Sequence, residues 1–411
     1  MLFNLFSWYF LLILLGGINF PLTYRFFGRF KDRGYTLSRI LGLLLWGFGF
    51  WFLSSLGLLQ NQPGGILFAL AILLGLNLWA GWHKWDEIWG WVKKNWRLIL
   101  SIELVFLASF AFMTLVRASD PAATGTEKPM ELAFINAILN SESFPPKDPW
   151  LSGYAISYYH FGYIITGMLA KLTFTTGGVA FNLMLVSVFA MSAVGAYGIL
   201  YNLLTLFFNR KEPSKKTYLW ALLGPLFLLF MGNLEVILEV LYQAGVGWNS
   251  GRTPSTFWQW VNIDTFLNPP SGASTLIPRR FWWWWQASRV VQDIDFLGNV
   301  SGLSPIDEFP AFSFVLGDLH PHVLVMPFVM LVIGLALNVF LGSMDGKTRV
   351  GNIELPFSSG MFLMLTIALG GIAFLNTWDV PVYFSLVVGA YTLRQVQLKA
   401  VSYTHLRAHE T

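Results

Sequence analysis

Residues 117–162 read RASDPAATGTEKPMELAFINAILNSESFPPKDPWLSGYAISYYHFG. This is the first long polar interruption in an otherwise lipid-like chain, and it sets Asp120, Glu127, Glu131, Glu142 and Asp148 between two apolar segments. The chain on either side is 55% hydrophobic and 12% charged over 411 residues, where soluble domains carry about 25% charged residues. With long apolar runs, that composition predicts an all-α polytopic membrane protein. The quoted stretch is then a loop held at one face of a helical scaffold.

The 19 Trp and 37 Phe suit interfacial belts and apolar packing. The net charge of +4 gathers in short loops, so it reports orientation and no nucleic-acid partner. The absence of cysteine excludes disulfides, thiolate metal sites and cysteine nucleophiles. The first apolar run lacks a basic leader and is read as a retained span. There is no Gly-rich phosphate loop, no HExxH and no Gly-x-Ser-x-Gly elbow, which disfavours an ATPase or a cytosolic nucleotide-sugar enzyme.

A span needs about 20 apolar residues, and about ten apolar segments are legible. Spans are expected at 5–24, 41–59, 66–82 and 98–116. Arg25, Arg29, Lys31, Arg33 and Arg39 place the first loop in the cytoplasm, with the N-terminus and the 117–153 loop outside a plasma membrane. The apolar segments 154–172 and 179–208 raise a parity conflict, because two full crossings would put the basic loop 209–217 outside. A re-entrant 154–172 resolves it. A span at 218–241 follows, then a loop at 242–308, too long for a structureless connector and so expected to be a lid or small subdomain. Further apolar segments fall at 309–341, 355–375 and 380–397. The chain thus divides into N-terminal spans at 1–97, a membrane core at 98–400 with external loops 117–153 and 242–308, and an abruptly polar tail at 402–411. That tail, SYTHLRAHET, reads as adapter read-through, so His405 and His409 are set aside and the natural chain is expected to continue.

Three chain regions bring ionisable groups to one face. Thr126 is placed to N-cap a helix running to about Asn140. Helical spacing then sets Glu127 and Glu131 on the side of Met130, Phe134, Ile135 and Ile138, with Asn136 and Asn140 opposite. The two carboxylates are the leading base candidates, one with a raised pKa, against the plainer reading of Glu127 paired with Lys128 or Arg117. Asp148, fixed in an extended conformation before Pro149, is the next candidate. Tyr158, Tyr159 and His160 lie at the mouth of the next helix, where an aromatic belt is the simpler account. In an extended segment Asp318, His320 and His322 share a face, suited to a divalent metal, to phosphate, or to hydrogen-bonded helix entry. Arg279, Arg280 and Arg289 flank a Trp run, as an interfacial element or a lipid-phosphate contact. Asn376 and Asp379 complete the polar face or cap the helix before Pro381.

Four blocks together, GTEKPMELAFINAIL (125–139), FPPKDPWLSGYAISYYHFGY (144–163), EFPAFSFVLGDLHPH (308–322) and LNTWDVPVY (375–383), resemble the "YYY" membrane protein family of bacteria and archaea. The family's tyrosine triplet stands here as Tyr158-Tyr159-His160, an imidazole in place of the third phenol. That family is similar in plan to GT-C glycosyltransferases. The resemblance implies a GT-C-like helical core over 98–400, a polyprenyl-phosphate-linked sugar donor, and an acidic residue in the first external loop. Arg117, Lys128, His320 or Arg280 would then balance the lipid phosphate. A transporter or lipid flippase is the rival, with Glu103, Glu235 and Glu239 as its span-interior groups, and a non-catalytic assembly protein is the third reading.

Overall fold

The computed structural model describes residues 2–208, 215–248, 255–272, 274–277, 279, 283–291, 293–302, 305–355 and 357–409, with side chains from 400 onward left aside. Helices dominate. They are α1 (Leu2–Phe26), α2 (Tyr35–Ser55), α3 (Pro63–Gly81), α4 (Trp85–Lys94), α5 (Trp96–Ser119), α6 (Lys128–Asn140), α7 (Phe161–Leu172) and α8 (Gly177–Phe207). There follow α9 (Lys215–Ala221), α10 (Leu223–Leu229), α11 (Glu235–Gln243), α12 (Thr256–Val261), α13 (Trp283–Ala287), α14 (Pro310–Leu316), α15 (Pro321–Leu324) and α16 (Met326–Phe340). A short hairpin, β1 (Thr348–Val350) and β2 (Ile353–Leu355), precedes α17 (Ser359–Leu375) and α18 (Val380–His409). The helices α1, α2, α3, α5 and α8 are long and apolar enough to cross a bilayer, and α7, α16 and α17 are shorter apolar helices. The protein is an all-α polytopic membrane protein, as its composition predicts.

Long-range hydrogen bonds fix the level of each helix end. In the α2–α3 turn, Asn61 Nδ2 donates to Ile138 O of α6 and to Ser141 O at its C-terminal cap, both at 2.7 Å. Lys171 Nζ, at the far end of α7, donates to Asn61 O at 2.6 Å. Trp8 Nε1 of α1 reaches Thr173 Oγ1 at 2.9 Å. At the other end of α7, a Cβ on Gly162 would touch Leu324 and Leu375, where α15 begins its passage to α16 and α17 ends. Both ends of α7 therefore lie at one end of the bundle. With 12 residues, or about 18 Å of helix, α7 falls short of a crossing. Residues 154–160 are not helical at all. The parity conflict disappears, because α7 runs beneath α6 and does not span.

The helix α8 makes the crossing instead. Near its start, Asn182 Oδ1 accepts from Arg117 Nε of α5 at 2.9 Å. Near its end, Asn202 Nδ2 donates to Asp32 Oδ1 at 2.8 Å, and Asn202 Oδ1 accepts from Lys31 N at 2.9 Å. The basic α1–α2 loop thus marks the opposite end of the bundle, which the end of α16 also reaches through Asn338 Nδ2 to Phe26 O at 2.9 Å. Close packing depends on glycine where α8 passes α2: a Cβ on Gly198 would stand 2.0 Å from Thr36 Oγ1. The amphipathic α4 opens with Asp86 and Glu87 and closes with Lys93 and Lys94, a charge order that complements the helix dipole. Its Glu87 accepts from the Tyr24 hydroxyl at 2.9 Å.

The expected span at 218–241 is not continuous. Gly224 and Pro225 interrupt the ladder between α9 and α10, and residues 231–233 are non-helical before α11 opens at Glu235. A Cβ on Gly224 would lie 2.6 Å from Ala196 O, so this break is also where α10 passes close to the α8 backbone. The chain divides into two compact units, one of residues 1–226 with 317–411 and the other of residues 227–316. Glu235 and Glu239 belong to α11 of the second unit. That unit has its own apolar core of Tyr242, Trp258, Ile263 and Phe266. The 309–341 segment likewise breaks into α14, α15 and α16, turned by Gly317 at φ +75°. The polar tail continues as the backbone helix of α18 to His409; the side chains of His405 and His409 lie outside the described residues.

Candidate functional site

The first unit gathers the acidic loop, the Asp318–His322 segment and the α17–α18 turn. The α6 helix starts one residue later than Thr126 would cap it. Gly125 and Thr126 both have positive φ, Glu127 takes the cap position, and Pro129 lies in the first turn. Lys128, Glu131, Phe134, Ile135 and Ile138 form its buried face.

Glu131 is fully buried and Asp318 nearly so. Glu131 Oε2 accepts from Leu319 N at 3.0 Å. Burial first, then the Asp318 charge and a hydrogen bond to Asp318, hold the Glu131 carboxyl well above the usual carboxylate range. Glu131 therefore keeps its proton at neutral pH. Glu131 Oε1 and Asp318 Oδ1 are buried with no protein hydrogen-bond partner. Beside them lies Arg117, 3% exposed, whose Nη2 likewise has no partner. A Cβ on Gly317 would sit 2.0 Å from Arg117 Nη1, so the guanidinium rests on the bare glycine backbone. Lys128 is also buried. Desolvation, then the nearby Arg117 charge, lowers its pKa, against the pull of Asp120, Asp318 and Glu131.

Glu127 is the open counterpart, with its side chain 57% exposed. Its Oε2 lies 2.8 Å from His320 Nε2, which also meets the Tyr158 hydroxyl at 3.0 Å. His320 Nδ1 stands 2.8 Å from His322 Nδ1. Tyr158 stacks on Phe134 with ring centroids 5.6 Å apart and touches Tyr159. Burial, followed by the charges of Glu127 and Glu131, pushes the Tyr158 hydroxyl up to about 12. His160 is turned toward its own chain, Nδ1 against Tyr158 O at 2.9 Å, and burial lowers its pKa. Asn376 Nδ2 donates to Asp379 Oδ2 at 3.1 Å. Burial raises the Asp379 pKa, while Asn376 and the charge of His322 oppose that rise, which ties the α17–α18 turn to the histidine pair.

Asp318, His320 and His322 do not share one face. Asp318 turns to Glu131 while the two imidazoles meet each other. Among the described residues no group of three or more His, Cys, Asp or Glu is arranged to hold a metal. Asp148 is apart from the cluster. Its Oδ1 accepts from Trp150 N and Leu151 N at 2.8 and 2.9 Å, closing a tight turn. It borders a 730 Å³ groove on the far side of α6, with Ala133, Asn136 and Asn140. Arg280 lies outside the described residues. Arg289 sits in the second unit, 3.6 Å over the Trp285 ring. Two site members escape sequence reading: Asn182, which orients Arg117 from inside an apolar helix, and Leu319, which contributes only its backbone N–H. The polar Asn182 within an apolar run was the available signal.

A model of an uncharacterized membrane protein family (DUF2298) matches residues 45–410. The chain belongs to that family. Comparison with curated proteins and with solved structures finds no match.

Proposed function

We propose that this DUF2298 protein is a membrane glycosyltransferase that uses a polyprenyl-phosphate-linked sugar at the external face, with a GT-C-like core. The observation that carries the reading is the convergence of three distant chain regions on one acid–base cluster, beside two buried cations, at one end of the bundle. An acceptor hydroxyl would attack the anomeric carbon. The new C–O bond forms as the bond from that carbon to the phosphate oxygen breaks, and the lipid phosphate departs with the electron pair. Glu127 is the base that takes the hydroxyl proton, being exposed and set 2.8 Å from an imidazole nitrogen. Glu131, already protonated, is unsuited to that role and instead positions Asp318 and Leu319. Arg117 and Lys128 face the departing phosphate, where charge-assisted donors are strongest. Membrane lipids surround the spans, and a lipid-linked donor follows from an external site, because nucleotide sugars are cytosolic. A transporter needs polar groups lining a path to both faces; here the cluster gathers at one. The test compares polyprenyl-phosphate sugars and glycans, by mass spectrometry, in cells with the wild-type full-length gene and with none. Loss of a glycan together with build-up of a lipid-linked sugar supports transfer. Unchanged profiles contradict it.

A further inference from the structure

The transferase reading places a proton on Glu127 and leaves its onward route open. The contacts beyond Glu127 form a chain: Glu127 Oε2 to His320 Nε2 at 2.8 Å and His320 Nδ1 to His322 Nδ1 at 2.8 Å. Two imidazoles that meet Nδ1 to Nδ1 share one hydrogen between two acceptor atoms, so only one of the pair carries it. The tautomers of the two rings are therefore locked together.

We propose that His320 and His322 form a two-imidazole proton wire leading from Glu127 through the partly exposed His322 to solvent. In the ready state His320 carries its hydrogen on Nδ1 and donates it to His322 Nδ1, His322 carries its own on Nε2, and His320 Nε2 accepts from Tyr158; the hydrogen bond from Glu127 to that nitrogen forms only when Glu127 has taken a proton. A proton passed from Glu127 to His320 Nε2 releases the Nδ1 hydrogen to His322, which yields its Nε2 hydrogen to solvent water. One proton enters, one leaves, and Glu127 is again a carboxylate. Other groups bear on the wire. Tyr158 donates toward His320 Nε2 and steadies the ring. The Glu131–Asp318 pair adjoins it through the backbone at Leu319. Lys128, buried on α6 beside Glu127, opposes further positive charge. Asp379, which accepts from Asn376, bears on His322 through its charge.

The wire rests on the transferase reading for the source of its proton, so its test uses no substrate. The full chain, labelled with 15N-histidine in lipid nanodiscs, is followed by NMR from acid to alkaline pH. The wire predicts a 15N–15N coupling across the shared hydrogen and a two-step titration belonging to the pair. His322→Asn sets an amide where Nδ1 stood and cannot pass a proton on; it should remove the coupling and leave His320 titrating in one step. Absence of the coupling in wild type, with both rings titrating independently, overturns the wire. An unaltered His320 titration in His322→Asn also overturns it. Neither result touches the glycan comparison, so failure of the wire and failure of the transferase reading remain distinguishable.

Discussion

At the scale of residues, the site is governed by what burial does to charge. Glu131 and Glu127 lie one helical turn apart on α6, yet one is sealed against Asp318 and the other is open beside His320. Under the proposed reading, their roles diverge for that reason. A carboxyl whose folded pKa is raised above its ordinary value of 4.5 contributes stability that is fully present below that value. The contribution is lost as pH rises through the folded value, since the unfolded chain then ionises first. The wild-type melting temperature, read by intrinsic tryptophan fluorescence, should fall as pH is raised from about 5 to 8 by this linkage. Glu131→Gln, which cannot ionise but keeps a donor toward Asp318, should flatten that slope. Glu131→Ala should cost about 1–3 kcal/mol, because it strands Leu319 N–H and Asp318 in a buried setting.

Gly317 makes a second residue-scale case. Its φ of +75° and the 2.0 Å approach of Arg117 Nη1 both demand a missing side chain. Gly317→Ala should lose about 1–3 kcal/mol of stability and displace Arg117. A Gly317→Ala protein as stable as wild type, with the glycan phenotype intact, would contradict the seat described for Arg117. The sequence shows Gly317 only as a helix breaker; its contact with a residue 200 positions earlier depends on packing that no local pattern carries.

At the scale of elements, the spans were legible because each is a single apolar run ended by charge or by Pro and Gly, as at Gln62-Pro63-Gly64-Gly65 between α2 and α3. Hydropathy is blind to direction, and the continuous span expected at 218–241 is the one that does not form. Residues 218–241 are as apolar as a span, but Gly224-Pro225 and Gly232-Asn233 divide them among α9, α10 and α11. Segment 154–172 is apolar because α7 is packed inside protein, its residues 161–170 all buried, and not because it meets lipid. With no native cysteine, single-cysteine labelling tests this placement cleanly. Tyr154→Cys and Thr176→Cys, before and after α7, should react with an impermeant maleimide from the same side. Arg29→Cys should react only once the membrane is opened. Labelling of 154 and 176 from opposite sides would mean that α7 crosses. At the α2–α8 crossing, Gly198→Leu should cost more than about 3 kcal/mol, since both helices lose their close approach at Thr36.

At the scale of the whole molecule, the polar face was legible as a coincidence of levels. Spans alternate in direction, so loops 117–153 and 376–379 and the segment around 318–322 must meet one face once the parity at α7 is settled. What the sequence left open was the pairing within that face. Nothing local sends Asp318 to Glu131 while His320 goes to Glu127, and nothing local separates Asp148 into a turn on the far side of α6. Those outcomes follow from the left-handed turn at Gly317 and from Asn61, which joins the α2–α3 turn to α6 and, through Lys171, to α7.

The proposed function makes Glu127 the base of an external transfer reaction. It is tested most directly by complementing a deletion strain with wild type or Glu127→Gln at equal membrane levels, and measuring lipid-linked sugar against finished glycan. The account predicts that Glu127→Gln accumulates the lipid-linked sugar and lacks the glycan, at least about 100-fold below wild type. A Glu127→Gln strain that makes glycan at the wild-type level would contradict it.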